Sequence, residues 1–290
     1  MFYPQSQHAA RTSGRRFFTL VALSMALALA LSLFLAPSAA HAARPKTSTL
    51  VGPKSYYLAL GDSLAFGYQP NLDWSHSYPT QWYNNDLSKK HVGSYTNYGC
   101  NGETSYTFVN GGCPYAYALH NYYIGSQLSA ALSFINAHAG KVSPVSLDMG
   151  ANDLLPDINS STCTVSSSWS TDLANLDSRM TGTILPKLTA ALTVNGVRTG
   201  DLVMMNYYDP YQNICPNSLS YVQTLNQHLA NDAAQFNVPV SDVYTAFGGS
   251  TTPNPNICTD TWMCSVYQNI HATTAGYGVI ATTFQTTAGY

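Results

Sequence analysis

The chain of 290 residues is 45% hydrophobic and only 9% charged, enough apolar material to bury a sizeable core. Of its twelve Lys and Arg, three (Arg11, Arg15 and Arg16) lie within the first 42 residues, leaving nine against fourteen acids, formally −5. That balance argues against a nucleic-acid partner.

Those three arginines precede an apolar run over residues 17–35 that ends near Ala40-His41-Ala42. The pattern predicts a secretory signal over residues 1–42 with a small-residue cleavage site, and an extracellular domain over residues 43–290 with no membrane span of its own. An uncleaved anchor is the competing reading, since about 20 apolar residues span a bilayer. Arg15-Arg16 followed by Phe18 only partly matches a twin-arginine signal, so the export route stays open.

Further along, residues 56–60, 145–149, 202–207 and 238–243 read as buried strands. Residues 126–138, 171–192, 218–236 and 273–284 carry apolar side chains at helical spacing. Alternating strands and helices predict an α/β domain with a parallel sheet and right-handed crossovers. No repeat, charge run or long linker divides residues 43–290, and the Ser/Thr-rich stretch 159–171 reads as a surface excursion able to wall a cleft.

All six cysteines follow the signal segment, and an even number in an exported protein predicts three disulfides. Sequential pairing is expected, Cys100 with Cys113, Cys163 with Cys215 and Cys258 with Cys264, because each pair staples a loop rich in Gly, Pro, Ser or Asn. The spacings lack a CxxC or a close Cys/His pair, so no metal site is expected.

Predicted strand ends run directly into Gly61-Asp62-Ser63-Leu64, Gly150-Ala151-Asn152-Asp153 and Asp209-Pro210. In open parallel sheets catalytic groups gather at such ends. Serine becomes a nucleophile only beside a base that removes its proton and donors that hold the oxyanion.

With Asn97-Tyr98-Gly99-Cys100-Asn101-Gly102-Glu103-Thr104 and Ile270-His271-Ala272-Thr273 added to the Gly61 and Gly150 blocks, the sequence resembles the GDSL/SGNH hydrolase family. All four blocks occur in the family's order. The resemblance implies a three-layer α/β/α fold with a flavodoxin-like parallel sheet. It also implies Ser63 as nucleophile, His271 as base, and an oxyanion hole formed by the Ser63 amide, the Gly102 amide and the Asn152 side chain. Physics suits these assignments: glycine lets the backbone approach the substrate, a neutral amide donates without charge, and imidazole exchanges protons near neutral pH.

Where the family generally places Asp, three residues before the histidine, this sequence has Gln268 followed by Asn269, and neither supplies a negative charge. The imidazole still needs an acceptor to fix its tautomer. The Gln268 backbone carbonyl is the leading expectation for that acceptor, with Asp260 as an alternative carboxylate.

Taken singly, Ser63, Gly102, Asn152 and His271 could be a cap, a turn, an Asx-turn and a cap; the four ordered blocks favour chemistry. Asp62 reads as structural, and Asp148 and Asp153 as partners of backbone amides. His76, His91, His120, His138 and His228 read as structural or solvated. Tyr115, Tyr117, Tyr122 and Tyr123 form the best candidate cleft wall, although packing beneath a loop would explain them as well.

The sequence therefore predicts a monomeric, cofactor-free, secreted ester hydrolase of esterase or lipase type, acting on a small-molecule or lipid ester through an acyl-enzyme. A deacetylase of acetylated polysaccharide, or a non-catalytic carbohydrate- or lipid-binding protein on the same scaffold, is the alternative.

Overall fold

The computed structural model describes residues 50–290, and the expected signal segment lies outside them. Five strands form the main sheet: β1 (Tyr56–Leu60), β2 (Ser94–Asn97), β3 (Val142–Leu147), β4 (Leu202–Met205) and β5 (Val240–Ser241). Every neighbouring pair is parallel, in the spatial order β2-β1-β3-β4-β5. This flavodoxin-like order requires a crossover between each pair.

Adjacent residues of a strand point to opposite faces, and β1 shows which helices cover each face. Tyr56 meets Phe134, on the helix Gln127–Ala137, edge-on at 5.9 Å. Tyr57 points the other way, to Trp82 at 5.2 Å, on the helix Tyr78–Asn85. On that second face Phe284 of the C-terminal helix, Thr274–Ala288, stacks on Tyr78 at 4.8 Å and on Trp82 at 5.4 Å. The sheet is thus a middle layer between helices, and one contiguous apolar core runs through the described residues.

Caps set the helix starts. The Ser77 hydroxyl accepts from the Thr80 amide and that of Thr273 from the Gly276 amide, each satisfying a first-turn donor. The C-terminal helix ends at Gly289, in the left-handed region.

Four segments differ from their sequence reading. Residues 171–192 are not one helix but Trp169–Arg179, a wide π turn Met180–Ile184, and Leu185–Ala191. Pro186 has no N–H for the carbonyl four residues back and crowds it, so the ladder must widen there. β5 pairs over two residues only, because the Asp242 carboxylate accepts from the Thr245 amide and starts a short helix at Val243. β2 and the helix Tyr78–Asn85 have no counterpart in the predicted elements; β2, Ser-Tyr-Thr-Asn, is a half-polar edge strand without an apolar run.

The disulfides pair as expected: Cys100 with Cys113, Cys163 with Cys215 and Cys258 with Cys264. The second ties the 159–171 excursion to the loop after β4. Among the described residues no helix is long and apolar enough to cross a membrane.

Candidate active site

Register places the chemistry. Leu60 at the end of β1 lies beside Leu147 at the end of β3, so Gly61 and Asp148 leave the sheet together. A β-carbon on Gly61 would stand 2.5 Å from the Asp148 carboxyl carbon, and its φ is +140°, so only glycine fits. The backbone then turns into a one-turn helix, Ser63–Phe66, whose N-cap Asp62 accepts from the Leu64 amide at 2.8 Å.

Beneath this turn, Asp148 accepts from the Asp62 amide at 2.9 Å and the Tyr78 hydroxyl at 2.6 Å. Asp62 also receives the Tyr207 hydroxyl at 3.1 Å. Burial, and then the neighbouring Asp148 charge, push the Asp62 carboxyl well above the ordinary carboxylate range. Both acids are structural supports of the turn. Asp153 likewise holds the Ser105 amide and hydroxyl, at 2.9 and 2.6 Å.

Sequence reasoning missed Gln127. Its side-chain oxygen accepts from the Gly61 amide at 2.7 Å, and its nitrogen donates to the Gly61 carbonyl at 2.9 Å and to Glu103 at 2.9 Å. One buried amide therefore clamps Gly61, the first residue of the nucleophile block, and joins it to the Gly102 loop. A contact across 66 residues leaves no local pattern to read.

Ser63 Oγ lies 2.8 Å from His271 Nε2. On the far side of the ring, Nδ1 is 2.7 Å from Asn269 Oδ1, which also accepts the His271 backbone N–H at 3.0 Å. A backbone N–H can only donate, so the oxygen end of the Asn269 amide must face it. Nδ1 must then carry the ring hydrogen, and Nε2 is left to accept from Ser63. The Gln268 carbonyl is not among the ring's partners; that expectation is corrected to the side group of the next residue, because Gln268 sits at φ +44° in the bend while Asn269 closes an Asx turn onto His271. Asp260 meets this segment only through its backbone carbonyl, which receives the Thr273 amide.

Burial without a charged partner pushes the His271 imidazole down to about 4. The ring packs on Tyr68, centroids 4.6 Å apart. Its segment is held by the Trp262 amide on the His271 carbonyl at 3.0 Å, within the loop that Cys258–Cys264 staples.

Gly102 takes φ +79°, flanked by Pro114 and Tyr115, and the Cys100–Cys113 bridge fixes this loop. Among the described residues neither the Ser63 nor the Gly102 amide has a hydrogen-bond acceptor. Asn152 Nδ2 donates one hydrogen to the Glu103 carbonyl at 2.9 Å, leaving the other free. Ser63, Asn152 and His271 line one pocket, completed by Leu155, Tyr208, Leu225 and Ile270 among others. Such a constellation can deprotonate a hydroxyl and bind an oxyanion.

Cys100, Cys113 and Glu103 are the one His/Cys/acid group among the described residues close enough for a metal, but both sulfurs are in a disulfide. The tyrosine cluster divides: Tyr115 and Tyr117 line a trough beside the pocket, Tyr123 turns inward to Glu103 at 3.4 Å, and Tyr122 lines neither. His120 is structural, its Nε2 donating to the Phe66 carbonyl at 2.8 Å.

Sheet order and the strand-end position of the pocket are those of a flavodoxin-like α/β fold. The protein belongs to the GDSL-like lipase/acylhydrolase family, whose sequence profile matches residues 59–279. Its structure is similar to that of Axe2, an acetylxylan esterase from Geobacillus stearothermophilus (TM-score 0.52, 15% identity, covering 83% of this chain and 96% of that one). It is also similar to a putative GDSL-like lipase from Parabacteroides merdae (TM-score 0.50, 14% identity, covering 83% and 99%). At such identities the likeness speaks for the fold. No curated protein matches significantly.

Proposed function

We propose that this protein is an exported carboxylic ester hydrolase that works through an acyl-enzyme on Ser63. The carrying observation is the 2.8 Å contact between Ser63 Oγ and a His271 Nε2 whose tautomer Asn269 fixes. His271 takes the Ser63 proton as Oγ bonds to the ester carbonyl carbon. The Ser63 and Gly102 amides and the Asn152 side chain hold the oxyanion. The C–O bond to the alcohol then breaks, and the proton on Nε2 leaves with that oxygen. A water molecule, deprotonated by the same nitrogen, cleaves the acyl-enzyme and releases the acid.

Removal of residues 1–42 at a signal cleavage site fits the three disulfides, which form and persist in oxidising compartments. The test is covalent: a fluorophosphonate should add one label to the secreted protein, located at Ser63 by peptide mass. Labelling elsewhere, or none on folded protein, would refute the assignment.

A further inference from the structure

We infer that Asp177 and Asp232 share one hydrogen across the seam between two helices, a proton-held latch that fastens Trp169–Arg179 to Ser218–Gln235 and is released in alkali. The latch is independent of the chemistry proposed for Ser63.

Two buried oxygens without partners lead to it. Asp232 is only 6% exposed, and its Oδ2 receives no hydrogen bond; nor does Oδ1 of Asp177, on the facing helix. The other Asp177 oxygen, Oδ2, accepts from His228 Nδ1 at 2.7 Å. His228 and Asp232 are four residues apart on one helix, so both side chains lie on the face turned toward Asp177.

A buried carboxylate oxygen without a donor is costly, and two that face each other add like-charge repulsion. One hydrogen removes both costs. Placed between the carboxyl groups, which lie within hydrogen-bonding reach of each other, it makes one the donor and the other its acceptor.

Asp177 and His228 are the ionisable groups that act on Asp232. Arg179, two residues beyond Asp177, turns instead to Ser105 and Asp153. Asp172 stands more than one turn before Asp177, and the π turn Met180–Ile184, which also packs on this seam, carries no ionisable side chain. Burial, and then the Asp177 charge, push the Asp232 carboxyl up to about 7. The folded state therefore holds this proton more tightly than the unfolded chain. The contribution of the latch is whole below about pH 4 and is lost as pH rises through about 7, opposite in sign to that of a buried neutral histidine.

The seam backs the candidate active site. Leu176, beside Asp177, and Leu225, on the helix of Asp232, approach within 2.9 and 3.6 Å of where a β-carbon on Gly150 would stand. Val222 and Leu225 also line the Ser63 pocket. Release of the latch thus loosens the wall behind the Gly150–Asn152 turn.

The test is urea unfolding of the secreted protein and its Asp232→Asn variant at about pH 5 and about pH 8. The carboxamide of the variant donates to Asp177 at either pH, and every other titrating group is common to both proteins, so the difference between their midpoints isolates Asp232. That difference should move by roughly 0.5–1 M from the acid to the alkaline condition, against the unaltered protein in alkali. Carboxyl-carbon NMR of the unaltered protein reads the same group without the variant, and Asp232 should titrate near 7. Midpoint differences equal at the two pH values, or an Asp232 carboxyl titrating near the ordinary value of about 4, would overturn the latch.

Discussion

Asn269 Oδ1 accepts the Nδ1 hydrogen of His271 at 2.7 Å, in the place where a carboxylate usually orients such a ring. A neutral amide fixes the tautomer as a carboxylate would, but it gives no charge to stabilise the imidazolium. Asn269→Ala should lower kcat about tenfold or more, because a buried hydrogen bond worth about 0.5–1.5 kcal/mol is lost and Nδ1 is freed to take the wrong tautomer. Asn269→Asp should restore rate and raise the pKa of the acid limb, as read from pH profiles of both variants.

The pH profile of the unaltered protein follows from the same environment. Burial pushes His271 down to about 4, so the ring is neutral, and able to act as a base, over the whole range above about pH 5. Activity should fall only as pH drops through that value, well below the ordinary histidine value of about 6.5. The sign for stability is the same: the folded state binds its proton less readily than the unfolded one. The contribution of His271 is thus complete above about pH 6.5 and is lost as pH falls toward 4. An acid limb centred near 6.5 would contradict this environment for the ring.

Asp260 is a carboxylate in the stapled loop yet contributes to the His271 segment only through its backbone. Asp260→Asn should leave kcat/KM on p-nitrophenyl acetate within about twofold, whereas an ion-pair partner of the base would cost orders of magnitude. A rate series with this single variant decides it.

Gln127 makes three buried hydrogen bonds that join the Gly61 peptide to Glu103. Gln127→Ala removes all three and strands the buried Gly61 amide, while the Gly61 carbonyl keeps the Cys100 amide at 3.0 Å, so stability should fall by about 2 kcal/mol. Urea unfolding measures this directly, and a change below about 1 kcal/mol would show the clamp to be dispensable.

Local patterns were legible in the sequence and long-range ones were not. β1 occupies the residues its apolar run predicts, and the helix Ser218–Gln235 follows its spacing almost to the end. The cysteine pairs could be read because each closes its own loop. β2 escaped because an edge strand is half-polar and carries no continuous apolar signal. Asn269 had a readable sign, an Asn whose amide group reaches the backbone N–H two residues on, but an absent charge was the stronger signal at that place. The division of Tyr115 and Tyr117 from Tyr123 depends on how the Cys100–Cys113 loop folds back, which spacing alone does not encode.

Whether Ser63 and His271 cleave esters together is decided by hydrolysis of p-nitrophenyl acetate, measured on the secreted protein beside its Ser63→Ala variant. Steady turnover is predicted for the unaltered protein, with a burst if deacylation is slow, and a loss of at least about a thousandfold in the variant while its fold is retained. Equal turnover by both proteins, or none by the folded unaltered protein, would contradict the assignment.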